Sequence, residues 1–522
     1  MIRQIVLLVV ATFAFLLAST PARADWYEAS SDHFVIYADD KEKDLRRYAQ
    51  NLERYHSAME YITGRKVAKP SPSNRVVIFV VGSGRQVRKI AGGKNSNIAG
   101  FYIPRAGGSV AFVQSIKNKN GYPDFSTIVL LHEYAHHFLI SSSRFAMPRW
   151  MSEGAAEFFA AASFNKDGSV LIGRPAVHRS GELVYGDNVH VRELLDQALY
   201  EKNRSGNDAF YGRSWLLYHY LTFSEERSGQ LGEYWSEVLS STPSIEAGRK
   251  VFGDLNQLEK ELKSYVRQRR MSTFSLKPGQ LNASEVAIRK LPEGEAKMMP
   301  LRIRSQRGVS REQALDLLVD IRKVAGRFPS DAGALAALAE AEYDAGNDAE
   351  AIAAADKAIS INPALTNPYV QKGYSLFRLA RNAEGSEAEE EAYKAAMKPF
   401  GSLNQRENDH PMPLIYYYRS FTERGLEPPE NAKHALERAA QIAPFDKGLW
   451  FNVAIMQMQE GKIAIAKSSL LPVAYDPHGG QSASRAQTLI ALLDRQKEGT
   501  KVSANELAAA MSDGVVSDST AN

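Results

Sequence analysis

The sequence predicts an α+β domain followed by an all-α array of stacked helical hairpins. Two observations lead to this fold class. From residue 25 to about residue 123, short apolar runs alternate with helix-like segments, which is typical of a small mixed sheet. Beyond about residue 310, prolines recur every 33 or 34 residues, which is the spacing of paired helices. A chain of 522 residues is long enough for more than one hydrophobic core.

The first 24 residues have the pattern of a signal peptide. Arg3 supplies the positive charge, residues 5 to 18 are apolar, and Ala22-Arg23-Ala24 fits a cleavage site of small residues. The apolar run is shorter than the roughly 20 residues that cross a bilayer, so an uncleaved membrane anchor is the less favoured alternative. We expect an exported chain that begins at Asp25 and lies in the periplasm, with secretion beyond the cell as the alternative.

Composition limits the chemistry that the chain can carry out. The sequence contains no cysteine, which excludes structural disulfides, thiolate catalysis and zinc sites built from cysteine. Any metal must therefore be held by histidine and carboxylate groups. Without residues 1–24, the 62 basic and 60 acidic residues nearly balance. This balance gives no indication of a nucleic-acid partner, and no later segment is long and apolar enough for an integral membrane span.

The α+β domain is predicted over residues 25–274. Residues 33–38 and 76–81 have strand patterns, and 41–63 have a helical pattern. Two further strand-like runs, 98–104 and 109–114, flank a glycine-rich turn and predict a hairpin. From 125 to 270 the periodicity is largely helical.

A stretch rich in proline and glycine, residues 275–310, predicts a linker. It precedes the helical array at 311–497, and the polar tail at 498–522 is predicted to be disordered. In the array, Pro329 and Pro363 are 34 residues apart, while Pro411, Pro444 and Pro477 are separated by 33. The small and apolar positions of 332–363 and 413–444 resemble the tetratricopeptide repeat, with weaker copies at 366–399 and 446–477. Such an array implies a protein partner.

The segment STIVLLHEYAHHFLI, residues 126–140, carries the candidate catalytic chemistry. His132 and His136 are four residues apart, so both lie on one helix face and can bind the same Zn²⁺. Glu133 lies about 100° around the helix from His132, where it can act as the base on an attacking water. His137 points to another face and is expected to be structural.

A third ligand is needed, since a histidine pair alone is a weak signal. The segment PRWMSEGAAEF provides Glu153, and Glu157 follows one helical turn later. Glu153 completes a set of two histidines and one glutamate, with one coordination position left open. Glu157 is placed to hold the second ring nitrogen of a ligand histidine. A structural zinc site is disfavoured, because such sites usually use four protein ligands.

HEYAH followed by WMSEGAAEF resembles the gluzincin metallopeptidases, although the gap between the two motifs is slightly shorter than usual. The resemblance covers roughly residues 95–225 and implies a zincin-like α+β fold with one zinc ion per chain. His132, His136 and Glu153 match the zinc ligands, Glu133 the general base and Glu157 the supporting acid. The segment from Tyr211 to Leu221 is similar to a helix of the aminopeptidase branch, which makes Tyr211 the candidate donor to the oxyanion. A core tyrosine is the alternative.

The resemblance also implies that strand 109–114 is an edge strand that pairs with an extended peptide. This strand lacks the acidic residue with which the aminopeptidase branch holds a free amine, so an endopeptidase is favoured. The competing hypothesis is a catalytically inactive platform whose repeats bind a partner protein.

Overall fold

The computed structural model describes residues 25–92, 98–119, 121–142, 146–476 and 478–516. The predicted signal peptide, residues 1–24, lies outside this part of the chain. The α/β unit contains these elements: β1 (Tyr27–Ser30), β2 (Phe34–Ala38), α1 (Glu42–Thr63), β3 (Val76–Val80), α2 (Gly84–Ile90), β4 (Gly100–Ile103), β5 (Val110–Val113), β6 (Asn118–Lys119), β7 (Tyr122–Pro123), α3 (Phe125–Ser142), α4 (Arg149–Ala160), β8 (Ser163–Phe164), β9 (Val170–Ile172), α5 (Ser180–Tyr185), α6 (Val191–Leu195), α7 (Gln197–Asn203), α8 (Phe210–Phe223), α9 (Gln230–Leu239), α10 (Ser244–Phe252), α11 (Leu255–Tyr265), β10 (Phe274–Leu276) and β11 (Ala287–Lys290).

The main sheet has the strand order β11-β1-β2-β3-β5-β4 within the described residues. Strands β2, β3 and β5 are parallel, and the other pairs are antiparallel. Along β2, Phe34 and Ile36 point into one buried cluster while Val35 and Tyr37 point into another. Both faces of the sheet are therefore covered. The helices α1 and α3 contribute to the first cluster, which is the larger core of the unit.

The hairpin predicted around residues 105–108 is present, but its outer strand is not the predicted one. β5 pairs with β3 on one side and β4 on the other, so β4 is the sheet edge. The prediction that 109–114 is an edge strand is therefore wrong. The second strand of the hairpin returns into the sheet because its side chains are apolar on both faces. Val110 and Phe112 enter one cluster, while Ala111 and Val113 enter the other.

The predicted linker at 275–310 is folded, which corrects that domain boundary. β10 pairs with β9, and β11 pairs with β1. The segment then forms a helix, α12 (Glu293–Gln306). Met299 and Ile303 of this helix pack on the second face of the main sheet. Pro292 stands at the start of α12 and Pro300 lies inside it, so proline does not indicate a loose connection here.

The rest of the described chain is an array of paired helices, as predicted. Its helices are α12, α13 (Arg311–Arg327), α14 (Ala332–Ala345), α15 (Asp348–Ile361), α16 (Asn367–Ala380), α17 (Ser386–Arg406), α18 (Pro411–Thr422), α19 (Glu430–Ile442), α20 (Lys447–Gln459), α21 (Ile463–Ala474), α22 (Gln481–Leu493) and α23 (Ala504–Val516). Small residues let the helices of a pair approach closely. A Cβ on Gly373 of α16 would lie 2.5 Å from the Phe400 ring of α17.

The predicted disordered tail is also partly folded. α23 extends to Val516, and Leu507 is buried against α21 and α22. Residues 517–522 of the predicted tail lie outside the described residues. No helix in the described part of the chain combines the length and apolar character that a bilayer span requires.

The loops that join one helical pair to the next dock on the α/β unit. Glu407 accepts hydrogen bonds from the backbone N–H and the hydroxyl of Ser73, both at 2.9 Å. The Asn74 amide donates to the Ile442 carbonyl at 3.3 Å. The backbone N–H of Ala106, in the β4–β5 turn, donates to Asp446 at 2.9 Å. One edge of the array therefore lies against the hairpin that carries the edge strand.

Candidate metal centre

The helix α3 presents both histidines of the motif to the interior. Asp124 caps its first turn by accepting a hydrogen bond from the Thr127 backbone N–H at 2.8 Å. Apolar side chains then bury most of the helix surface. His132 and His136 are 8% and 5% exposed. Histidines buried this deeply require polar partners.

The partner carboxylate comes from α4, which packs tightly on α8. A Cβ on Gly154 would lie 2.5 Å from the Ser214 carbonyl oxygen, so only glycine allows the two helices to approach this closely. Its neighbour Glu153 is completely buried. The packing of α4 thus brings Glu153 to the two histidines of α3.

Three ligand atoms converge in the cluster. The Nε2 atoms of His132 and His136 are 3.1 Å apart, and Oε2 of Glu153 lies 3.2 and 3.3 Å from them. Zinc bonds of about 2.0–2.1 Å at tetrahedral angles would place ligand atoms about 3.3–3.4 Å apart. In the described part of the chain, these three residues are close enough to hold one metal ion. The donor set and its spacing therefore fit zinc.

Glu157 supports the cluster from the next turn of α4. Its Oε1 lies 3.0 Å from Nδ1 of His132, the ring nitrogen opposite the converging atoms. It also contacts His178 at 2.6 Å and the Arg179 guanidinium at 2.5 Å. A carboxylate in this position fixes the orientation of a ligand imidazole.

The charges of the cluster depend on one another. Burial raises the pKa of Glu153, but the imidazoles of His136 and His132 lower it by more, so its pKa lies below the ordinary value. Burial lowers the pKa of His132, while Glu157 and Glu153 raise it to about 10. Without a metal ion, His132 therefore keeps a proton at neutral pH. That proton must leave when a metal ion binds.

The candidate base and oxyanion donor border the same cluster. The Glu133 side chain is 24% exposed. Burial raises its pKa, but the neighbouring histidines, His478 first among them, lower it below the ordinary value. Tyr211, at the start of α8, has its ring centroid 6.4 Å from that of His132. Burial and the charge of Glu153 raise the pKa of Tyr211, so its hydroxyl keeps its proton at neutral pH.

Four other residues of the site were not identified from the sequence. The Ser152 hydroxyl lies 3.3 Å from Nδ1 of His136, and its position next to Glu153 was the signal that could have found it. His178 and Arg179 lie in a 3₁₀ helix of three residues, Val177–Arg179, which is too short to show a periodicity in the sequence, and His478 belongs to the array. His137 lies outside the ligand cluster, as predicted, with its Nδ1 2.8 Å from the Tyr102 hydroxyl and its ring stacked on Phe445.

Comparison with protein-family models and with curated proteins gives no match. Similar solved structures include TTC0263, a thermophilic TPR protein of Thermus thermophilus, with 15% identity and a TM-score of 0.30. That match covers 42% of this chain and 99% of the other. MamA of Desulfovibrio magneticus RS-1, from its residue 41 to its end, has 16% identity and a TM-score of 0.26, covering 39% and 97%. At these scores the likeness carries no argument about function.

Proposed function

We propose that the chain is an exported zinc-dependent endopeptidase of the zincin-like class. The observation that supports this most directly is the convergence of His132, His136 and Glu153 at 3.1–3.3 Å. A zinc ion held by these three residues supplies a Lewis acid that polarises a carbonyl group and acidifies water. Every other function in the reaction belongs to side chains of this chain.

Glu133 acts as the general base. It neighbours the ligand His132 on α3, and its lowered pKa keeps it ionised at neutral pH. An ionised carboxylate can take a proton from an attacking water and return it to the leaving amine. Partial exposure gives water a route to it.

Tyr211 acts as the donor to the oxyanion. Its raised pKa keeps the hydroxyl protonated, and a protonated phenol can donate a hydrogen bond to developing negative charge. The Arg179 guanidinium lies 4.8 Å from its ring centroid. This cation–π contact holds the tyrosine ring beside the cluster.

The edge strand β4 is the proposed site of peptide binding. Its outer side has no strand partner among the described residues, so an extended peptide can add to the sheet through backbone hydrogen bonds. This strand packs against α3, the helix with the ligand histidines. A peptide bound there would pass the candidate metal centre.

The experiment that tests this function compares zinc content and casein hydrolysis of the mature protein and Glu133→Gln. We expect one zinc per chain in both proteins and cleavage only by the wild type. Glu182→Gln is a matched control, because it changes an acid of α5 outside the ligand cluster. Absence of zinc from both proteins would contradict the metal site, and cleavage by Glu133→Gln would contradict the general base.

The second candidate is a binding platform without catalysis. A specific observation favours a partner for the array: Leu315 and Val319, one helical turn apart on α13, are 48% and 69% exposed. Neighbouring exposed apolar side chains on one helix face can form part of a protein contact. Stoichiometric zinc without cleavage of casein or of other unfolded proteins would favour this candidate over the peptidase.

A further inference from the structure

One loop of the array contacts both walls of the proposed peptide site. The loop, residues 443–446, joins α19 to α20. Its Asp446 accepts a hydrogen bond from the backbone N–H of Ala106, in the β4–β5 turn, at 2.9 Å. Its Phe445 stacks on the ring of His137 in α3, with the ring centroids 4.4 Å apart and the planes at 29°. The loop therefore joins the hairpin of the edge strand to the helix of the ligand histidines.

The β4–β5 turn is embedded in the array. Ala106 is 8% exposed and packs with apolar side chains of α19 and α20. A Cβ on Gly107 would lie 3.2 Å from the His410 ring, so a side chain at this position would crowd the array. The Arg105 guanidinium donates to the Gln306 carbonyl of α12 at 2.6 Å. Three separate parts of the array thus hold the turn in place.

The backbone of Tyr102 is the part of β4 that can pair with a peptide. In β5, Ser109 and Val113 direct their carbonyl groups to β3, so the backbone of Ala111, between them, also faces β3. Tyr102 lies opposite Ala111 in the antiparallel pair. The backbone groups of two such residues point away from each other. The N–H and C=O of Tyr102 therefore face the open edge of the sheet.

The side chain of Tyr102 ties this backbone to α3. Its hydroxyl lies 2.8 Å from Nδ1 of His137, which is next in sequence to the candidate ligand His136. The contact sets the distance between the pairing backbone and the candidate metal centre. His137 is held in turn by the ring of Phe445. A continuous set of contacts thus runs from the array loop to the backbone that would bind the peptide.

We propose that Phe445 and Asp446 are positioning residues of the peptide site, through which the array holds the edge strand at a fixed distance from the candidate metal centre. This inference rests on the peptide site of the proposed function. Asp446 fixes the turn of the hairpin, and Phe445 fixes the imidazole that anchors Tyr102. An edge strand that is already rigid binds a peptide more tightly, because no ordering cost is paid on binding. The array therefore contributes to substrate binding.

The first test is the variant Asp446→Asn in the full mature chain. Asp446 also caps α20, since its Oδ1 accepts from the Leu449 backbone N–H at 3.0 Å. Asparagine keeps this cap, but its NH₂ group replaces Oδ2 and cannot accept the hydrogen bond from Ala106. We expect amide hydrogen exchange in β4 and β5 to become about tenfold faster, because a hydrogen bond to a charged group is lost.

Substrate affinity is the second readout. Fluorescence anisotropy measures the binding of fluorescein-labelled casein to chains that also carry Glu133→Gln, in which we expect no cleavage. Asp446→Asn should weaken this binding about tenfold, and in the active chain the loss should appear in KM rather than in kcat. The zinc dissociation constant should not change, because the side chain of Asp446 binds Ala106 and Leu449 rather than a candidate ligand.

Two further variants make the result specific. Asp331→Asn is the matched control, because Asp331 caps α14 through one oxygen and accepts from the Glu295 backbone N–H through the other, both at 3.0 Å. It loses the same kind of hydrogen bond away from the hairpin, so hairpin exchange and casein affinity should stay at wild-type values. Phe445→Leu keeps an apolar side chain but removes the stack on His137, and it should also weaken casein binding.

The outcomes separate this inference from the proposed function. Unchanged exchange of β4 in Asp446→Asn, or unchanged casein affinity despite faster exchange, would overturn the positioning role. Equal losses in Asp331→Asn would overturn it too, because they would reflect a general loosening of the array. Faster exchange and weaker casein binding without cleavage by the wild type would support the positioning residues and contradict the peptidase. A Glu133→Gln chain that binds no casein would overturn both this inference and the proposed peptide site.

Discussion

Glu157 is the residue that links the ligand cluster to its surroundings, since it contacts His132, His178 and Arg179. We expect Glu157→Gln to lower zinc affinity about 10–100-fold, because His132 loses the carboxylate that orients it. The loss of charged hydrogen bonds should also lower the free energy of unfolding of the metal-free protein by about 2–3 kcal/mol. Chelator competition and urea unfolding measure the two effects.

The matched control for this prediction is Glu182→Gln. Glu182 binds Arg179 from the other side, at 2.7 Å, but does not touch His132. The zinc affinity of Glu182→Gln should stay within about threefold of that of the wild type, because His132 keeps its contact with Glu157. Equal affinity losses in both variants would mean that Arg179, rather than the contact with His132, determines zinc binding.

At the residue scale, the sequence predicted those parts of the site whose spacing is local. His132 and His136 share a helix face, and Glu153 and Glu157 share another, so helical periodicity was sufficient to propose them. His178 and His478 come to the site through tertiary packing. His478 lies 345 residues after Glu133, and no local pattern encodes a contact at that separation.

At the element scale, the packing of α4 on α8 is the feature on which the site depends. Gly154→Ala should lower the free energy of unfolding by about 1–3 kcal/mol, because its Cβ would lie 2.5 Å from the Ser214 carbonyl. Zinc affinity should also fall, since α4 carries Glu153. Gly232→Ala in α9 is the control, because a Cβ there meets nothing within 4 Å. Thermal unfolding of both variants checks the prediction, and an unaffected Gly154→Ala would contradict it.

Two acidic residues of α14, Glu340 and Asp344, make the stability of the array depend on pH. Burial and the neighbouring Glu340 raise the pKa of Asp344 to about 7. The protonated form therefore stabilises the array fully below the unfolded pKa of about 3.9, and this contribution is lost as the pH rises through about 7. Asp344→Asn should resemble the wild type at pH 4 and exceed its free energy of unfolding by about 1–3 kcal/mol at pH 8.

Urea unfolding of wild type and Asp344→Asn at pH 4, 6 and 8 measures this difference. Asp316→Asn, on the solvent side of α13, is the matched control and should show no such trend. A constant difference between wild type and Asp344→Asn across these pH values would show that Asp344 titrates normally.

Whether a segment forms a helix or a strand was easier to predict from the sequence than the element with which it pairs. The hairpin and the helical pairs follow from turn residues and proline spacing, which are local. The pairing of β11 with β1 joins residues about 260 positions apart, so a stretch rich in proline and glycine gave no sign of it. The same limit applies to β5, whose two neighbours in the sheet could not be inferred from its alternation.

At the scale of the whole molecule, α12 belongs to two hydrophobic cores. Met299 and Ile303 pack on the main sheet, while Met298 packs against α13 and α14. Arg302 of the same helix lies 5.0 Å from the centroid of the Tyr37 ring. The two units therefore meet through a shared buried helix, which fixes the array relative to the sheet and places its later loops beside the candidate metal centre.

This shared helix predicts how the chain can be divided. A chain of residues 25–274, which ends at the boundary expected from the sequence, loses the buried side chains of Leu291, Met299 and Ile303. Their burial contributes about 5–9 kcal/mol, which is comparable to the whole stability of a domain. The shorter chain also leaves the edges of β1 and β9 unpaired.

We therefore expect residues 25–274 to aggregate. Residues 25–308, which retain β10, β11 and α12, should unfold cooperatively on heating. The longer fragment keeps the three candidate ligands His132, His136 and Glu153, so it should still bind zinc. Circular dichroism and chelator competition on the two fragments test both points. Cooperative unfolding of residues 25–274 would show that α12 belongs to the array alone.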